Sequence, residues 1–428
     1  MLGRSLAPLG MISATPALRR YFYLMAFRRS PNLAQLKSSE TVAISTEAKR
    51  RRAAGENVLD LGAGEPDFDT PERAAEAGIA AIRAGKTRYA PNVGTSELRS
   101  AIAGALARMS GGRAVDPERL IVSNGSKQAL FNACFALFGP DDKVLIPSPA
   151  WVSYPQIVHL ARAEPVMVPG DPEWGLKVSV ADLERFRDQN TRGVILCSPC
   201  NPTGAVYTGA ELAAIADWAG KHDIWLLSDE IYRRIHYGEG PAPSLLDLGD
   251  AVLDRSVVFY GASKAYAMTG WRIGASYAPI ELTRAMAALQ SHTTTGANHP
   301  AMWAATTAFG DPEIDIEVDR MVAAFRRRRD YLVARFQDQL PGVEFVEPHG
   351  AFYFFFRVDA MVSDGGPGGA TFCERLMQQE GVALVPGGAF GDDRWVRLSF
   401  AVSDAELEAA CDRLVQFVAR LGAASAVR

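Results

Sequence analysis

Cysteine is scarce: a chain of 428 residues holds five, Cys134, Cys197, Cys200, Cys373 and Cys411. An odd number at irregular spacing excludes a disulfide framework, and a chain this long does not need one, which suits a reducing compartment. Net charge is small as well. Forty-five Lys and Arg against 49 Asp and Glu leave −4, which provides no positive field for nucleic acid. Long apolar runs are missing too: stretches such as Trp225-Leu226-Leu227 have the length of a strand, and none reaches the ~18–20 residues that span a bilayer, so no membrane partner is expected. The six histidines, His159, His222, His236, His292, His299 and His349, show no zinc-ligand spacing, so no metal site is expected.

Core-forming material, by contrast, is plentiful. The chain is 48% hydrophobic and 22% charged, and at roughly 100–200 residues per domain its length predicts two or three domains. Charge is unevenly placed: residues 1–39 contain Arg4, Arg19, Arg20, Arg28, Arg29 and Lys37 but no acid, which makes them +6 and the remainder −10. Such a segment suits an organellar transit peptide, or a start placed upstream of the true one, with Met11 and Met25 as alternatives. Arg19 and Arg20 interrupt any apolar core of a secretory signal. A cytoplasmic location is expected, organellar if residues 1–36 are a transit peptide.

From Val58 onward short β-branched or apolar runs alternate with helical patterns, the signature of an α/β sheet with crossover helices. Five runs matter for where they end. Arg119 to Ser123 stops at Asn124-Gly125-Ser126 and a helical stretch, Lys127 to Phe138. Lys143 to Ile146 stops at Pro147-Ser148-Pro149-Ala150-Trp151, and Gly193 to Leu196 at Cys197-Ser198-Pro199-Cys200-Asn201-Pro202. Asp223 to Leu227 runs into Ser228-Asp229-Glu230, and Ser256 to Tyr260 into Gly261-Ala262-Ser263-Lys264. In a mostly parallel sheet these tips share one edge, where open α/β folds bind ligands. The last third reads as a smaller α+β domain: a long Arg-rich helix around Met321 to Phe336, strands at Val343 to Val346, Ala351 to Val358 and Trp395 to Phe400, a solvated Gly365-Gly366-Pro367-Gly368-Gly369 loop, and a terminal helix Asp404 to Leu421.

Lys264 follows a buried-type strand and has Arg272 eight residues on, in Ser263-Lys264-Ala265-Tyr266-Ala267-Met268-Thr269-Gly270-Trp271-Arg272-Ile273-Gly274. Nearby cations and desolvation lower a lysine pKa and make the amine nucleophilic, as a Schiff-base lysine requires. This segment, with Cys197-Ser198-Pro199-Cys200-Asn201-Pro202-Thr203-Gly204 and Ser228-Asp229-Glu230-Ile231-Tyr232, resembles the class I aminotransferases of fold type I over about Leu36 to Phe400, most closely the bacterial aspartate aminotransferase subgroup I-gamma. The resemblance implies an α/β fold with a large, mostly parallel-sheet domain and a smaller α+β domain. Its boundaries would be an extension over 1–36, an arm and part of the small domain over 37–72, the cofactor-binding domain over 73–307 and the small domain over 308–428.

It also implies pyridoxal 5′-phosphate, amino-acid and 2-oxo-acid substrates, and a homodimer with shared sites. Carried over residue by residue, Lys264 binds the cofactor covalently and moves the substrate Cα proton, and Asp229 faces the pyridine nitrogen. Asn201 and Tyr232 hold the phenolic oxygen, and Trp151 stacks on the ring. Gly125, Ser126 and Lys127 at a helix start form the phosphate site with Ser263 and Arg272. Gly64, Trp151, Asn201 and Arg397 meet the substrate, Arg397 through its α-carboxylate, and Tyr89 reaches the neighbouring subunit's phosphate.

Two lookalike motifs are set aside: Cys197-x-x-Cys200 leads straight into Asn201-Pro202-Thr203-Gly204, and Gly62-x-Gly64 lacks the third glycine of a dinucleotide fingerprint. Arg326 to Arg329 is expected to be a solvated helix face. Substrate choice hinges on the side-chain pocket. Gln290 to Thr295 offers no arginine, and Phe135 stands where the resemblance suggests a lysine. The resemblance implies that Lys37, which aligns with a lysine tied to dicarboxylate and prephenate recognition in similar enzymes, meets a distal carboxylate, with Ser39 and Thr41 in the same arm. L-Aspartate with 2-oxoglutarate leads, with prephenate as a further substrate. Aromatic amino acids, packed against Phe135, are the alternative, and a β-lyase or a regulator that only senses the cofactor are more distant ones.

Overall fold

The structure, a computed structural model, describes residues 30–37, 40–361 and 368–426. The basic segment before Ser30, with Met11 and Met25, lies outside the described residues, as do Ser39 and Gly365, Gly366 and Pro367. Residues 30–36 belong to a unit of their own, in which Pro31–Leu33 makes one 3-10 turn started by Ser30, whose Oγ accepts the Asn32 N–H.

From Lys37 onward the chain builds a short strand β1 (Leu59–Asp60) and then β2 (Leu120–Asn124), β3 (Lys143–Ser148), β4 (Glu164–Pro169), β5 (Thr191–Cys197), β6 (Trp225–Asp229), β7 (Ser256–Gly261) and β8 (Ile273–Tyr277). These last seven form one sheet in the order β2-β8-β7-β6-β5-β3-β4. β4, β3, β5, β6 and β7 are mutually parallel, and β8 runs against both β7 and β2. Every residue of β7 and β8 is buried, as befits strands covered on both faces. Helix starts are well marked: Thr208 and Glu211 cap Gly209–Lys221 reciprocally. All five expected strands are present; β4 and β8 are strands that the sequence pattern does not reveal.

A second sheet, β12-β13-β10-β9, is antiparallel and is made of β9 (Phe345–Val346), β10 (Tyr353–Arg357), β12 (Val385–Pro386) and β13 (Trp395–Ser399). β1 joins this half by pairing in parallel with β11 (Val382–Ala383). Phe352, Phe354 and Phe356 pack with Phe325 and Phe336 of the long helix Pro312–Gln339 in a separate aromatic core. Removing one of these rings, as in Phe354→Ala, costs about 3–5 kcal/mol.

The long helix starts well before Met321, because Pro312 takes its first turn and Asp311 caps it through the Glu313 N–H. Its arginines are not one solvated face. Arg328 is buried and binds Asp67 at 2.8 Å and Asp404 at 2.6 Å, and Arg329 donates to the Pro348 carbonyl. Among the described residues no helix is long and apolar enough to cross a membrane.

Candidate active site

A cavity of about 330 Å³ lies at the edge where the parallel strands end. Ser126 and Lys127 follow β2 into it, Asn201 follows β5, Asp229 closes β6 with Tyr232 just beyond, and Ser263 and Lys264 follow β7. Arg272 arrives from the other direction. β8 is antiparallel, so the residue before it sits at the same edge. Gly64, Tyr353 and Arg397 wall the cavity opposite the large sheet, and Trp151 flanks it after β3.

Asp229 is buried, with Oδ2 accepting from the Tyr154 hydroxyl at 2.8 Å and Oδ1 from the Ile231 N–H at 3.2 Å. Burial pushes its carboxyl up, against the two donors and the Lys264 charge. Lys264 donates to the Gly64 carbonyl. Desolvation lowers its pKa to about 8; Glu65 and Asp229 oppose that shift, whereas Arg397 and Arg272 add to it. A neutral amine is therefore reachable near neutrality, the condition for a lysine nucleophile.

At the other end, the helix Ser126–Leu137 points its start into the cavity, preceded by Gly125 at φ 78°. The approach is close: a Cβ on Gly125 would lie 2.4 Å from Arg272 Nη2, and one on Gly274 would lie 2.1 Å from the Ser126 backbone nitrogen. Arg272 itself has φ 56°, a left-handed backbone that costs a non-glycine residue roughly 1–3 kcal/mol and tends to mark functional sites. Lys127 holds its ammonium 4.8 Å from the Trp151 ring centre, and desolvation together with Arg272 lowers its pKa. Neither cation has an ion-pair partner among the described residues. A helix start and two like charges form a receptor for a multiply charged anion.

Arg397 is buried, donates to Asn201 Oδ1 at 2.9 Å and to the Gly62 carbonyl at 2.7 Å, and lies between the rings of Tyr353 and Phe390. Its Nε has no partner. Tyr232 shares a 2.7 Å hydrogen bond with Tyr353.

The cavity thus gathers Lys264, Asp229, Tyr232, Ser126, Lys127, Trp151, Asn201, Ser263, Arg272, Gly64 and Arg397, with Gly125 directly behind its wall. Three expected residues stand outside it. Lys37 is exposed and donates its backbone N–H to Gln156 Oε1, Tyr89 is 92% exposed, and Phe135 is 47% exposed against Phe131. Sequence reasoning missed Tyr154 and Tyr353, along with Val42 and Ser45 of the helix Glu40–Ala53, which reach the cavity beside Thr41. Tyr353 had a signal, as the one hydroxyl in the run Phe352 to Phe356, since buried hydroxyls need partners.

The sequence profile of the family described as aminotransferase class I and II matches residues 56–414. The chain belongs to that family. It is 43% identical over 393 residues to the bifunctional aspartate aminotransferase and glutamate/aspartate-prephenate aminotransferase of Petunia hybrida, covering 90% of this chain and 81% of that one. It is 40% identical to the aspartate/prephenate aminotransferase of Cereibacter sphaeroides, over 93% of this chain and all of that one. Among solved structures, the aspartate aminotransferase of Thermus thermophilus with maleate superposes with a TM-score of 0.86 at 39% identity, covering 91% of this chain and 100% of that chain.

This aminotransferase is a pyridoxal-phosphate enzyme by family, and its own residues fit that cofactor. The glycine-cleared anion receptor suits a phosphate, the buried Asp229 suits a protonated ring nitrogen, and the lysine of lowered pKa suits an aldehyde.

Proposed function

We propose that this aminotransferase exchanges the amino group of L-aspartate with 2-oxoglutarate, and that prephenate is a further acceptor. The observation that carries this reading is the buried Arg397, set between two rings with one nitrogen unpartnered, in a cavity that also holds Lys264 and Asp229; the relatives' activities point the same way. When bound, pyridoxal phosphate supplies an aldehyde for the amine and a ring that accepts the electron pair left at Cα. Lys264 holds the cofactor and then carries the proton released at the substrate's Cα. Asp229 keeps the ring nitrogen protonated, Tyr232 and Asn201 bind the phenolic oxygen, and Trp151 covers the ring. Ser126, Lys127, Ser263 and Arg272 grip the phosphate. Arg397 takes the α-carboxylate with a planar fork, beside Asn201 and the Gly64 backbone.

For the distal carboxylate we retain Lys37, which closure of the arm (37–72) and the small domain (308–428) over the cofactor-binding domain (73–307) would bring in. Lys127, already at the cavity wall, is its rival. Tyr89, exposed in the single chain, is the residue through which a neighbouring subunit would complete the phosphate site in similar enzymes, and we infer a homodimer with shared sites. The five free thiols favour the cytoplasm.

Borohydride reduction of the purified protein, followed by peptide mapping, tests the core of this reading: the cofactor should be fixed to Lys264. Product analysis with aspartate, glutamate, phenylalanine and tyrosine tests the rest. Pyruvate and ammonia released from an amino acid carrying a leaving group, without transamination, would instead indicate a β-lyase.

A further inference from the structure

Tyr353 opens β10 and touches two parts of the site at once. Its hydroxyl lies 2.7 Å from that of Tyr232, and its ring faces the Arg397 guanidinium at 4.4 Å, with Phe390 on that cation's other contact at 4.9 Å. The position is tight: a Cβ on Gly64 would come within 3.2 Å of the Tyr353 oxygen. The rings of Tyr232 and Tyr353 meet edge-on, 5.8 Å apart, which leaves the two hydroxyls little freedom to separate.

Two hydroxyls in contact share one proton between them, and its direction matters. If Tyr232 donates to Tyr353, it has no proton left for an acceptor in the cavity. If Tyr353 donates, the proton of Tyr232 is free to point inward. The cation on the ring decides between these, because a positive charge beside a phenol makes it the stronger acid and so the better donor. Burial raises both phenols and Arg397 opposes the rise at each, but its guanidinium lies over the ring of Tyr353, at 4.4 Å. The other ionisable groups that bear on this pair and on its cation are Cys197 at the end of β5 and Asp60 of β1.

We propose that Tyr353 is a positioning residue: its hydroxyl donates to Tyr232, which commits the Tyr232 proton to the phenolic oxygen of the cofactor, while its ring supports the carboxylate-binding Arg397. The inference rests on the reading that Tyr232 serves that oxygen. It makes one side chain a link between substrate binding and the electronic state of the cofactor.

Tyr353→Phe keeps the ring and removes the hydroxyl, so the holoenzyme of this variant tests the idea by its visible absorption. A hydrogen bond to the phenolic oxygen stabilises its deprotonated form and lowers the pH midpoint of the cofactor's colour change. Weakening that bond should raise the midpoint by about 0.5 pH unit, since bonds in a chain reinforce one another. Tyr232→Phe should raise it further, and the double variant should match Tyr232→Phe alone. An unchanged midpoint in Tyr353→Phe overturns the inference, and so does an equal rise in both backgrounds, which would mean that Tyr353 acts without Tyr232. KM for the amino acid should stay within twofold in Tyr353→Phe, because the ring against Arg397 remains. Wild-type protein that retains no cofactor would bring down the functional reading together with this one, whereas a normal wild type with an indifferent variant overturns only the latter.

Discussion

The phenol of Tyr154 donates to Oδ2 of Asp229 at 2.8 Å, and both groups are buried. Burial drives the Tyr154 pKa far up, so the phenol keeps its proton at every working pH and remains a donor. With the Ile231 N–H on Oδ1, each carboxylate oxygen has a donor that favours the anion, working against the desolvation that favours the neutral form.

Loss of that charge should be costly. Asp229→Ala is expected to lower kcat at least a hundredfold, about 3 kcal/mol for a preorganised electrostatic group. Tyr154→Phe removes one hydrogen bond and should cost a few-fold, about 1 kcal/mol. Cys200→Ser should be near neutral. Steady-state kinetics of the three variants checks the ranking, and activity that depends on redox state and is abolished by Cys200→Ser would revive a role for the thiol pair.

Cofactor capture should follow the titration of Lys264. The neutral amine is the nucleophile, and desolvation has lowered the pKa to about 8. The rate at which apoprotein takes up pyridoxal phosphate should therefore rise with pH, nearly tenfold per unit at first, and level off above about 8. A rise that continues towards the roughly 10.4 of a free lysine would show that the amine is solvated.

Gly274→Ala is expected to damage the anion receptor specifically. Its Cβ would meet the Ser126 backbone nitrogen at 2.1 Å, so β8 or the helix start must shift. Overpacking of this kind costs typically 1–3 kcal/mol. A lowered Tm with a cofactor Kd raised at least tenfold is the expected pair of measurements; lowered stability with unchanged affinity would place the phosphate elsewhere.

Lys37→Ala should depress kcat/KM about tenfold for aspartate and glutamate and spare phenylalanine, as loss of a charge-assisted contact worth roughly 1.5–3 kcal/mol would. Lys127→Ala should weaken cofactor retention for all substrates. If at saturating cofactor only Lys127→Ala loses the dicarboxylates, the distal contact belongs to Lys127.

Much of this site is legible in the sequence because polar residues punctuate buried runs. Asp229 and Lys264 stand out where an apolar strand ends in a group that water would otherwise keep. Arg272 is legible through its spacing from Lys264, although β8 is not: Ile273-Gly274-Ala275-Ser276 looks weak as a strand because small residues are needed where the Ser126 helix start crowds it. β4 hides behind Pro165 and Pro169, which an edge position tolerates. Arg328 sits among four consecutive arginines, and only the fold shows that Asp67 and Asp404 approach it from distant segments. Tyr154 and Tyr353 were missed because a tyrosine in an apolar stretch ordinarily signals packing, and its hydroxyl's partner is not local.

The reversed direction of β8 makes the β7–β8 hairpin a caliper. One jaw is the amine of Lys264, just past Gly261, and the other is the guanidinium of Arg272, just before Ile273, while the Gly261–Gly274 pairing sets the gap. The opening is thus gauged by main-chain hydrogen bonds and not by the loop between. One residue added within Tyr266 to Gly270 would lengthen that loop and leave the jaws in place. One residue added inside β7 would slip the pairing, turn alternate side chains to the opposite face, and leave an enzyme that could grasp its cofactor at one end only.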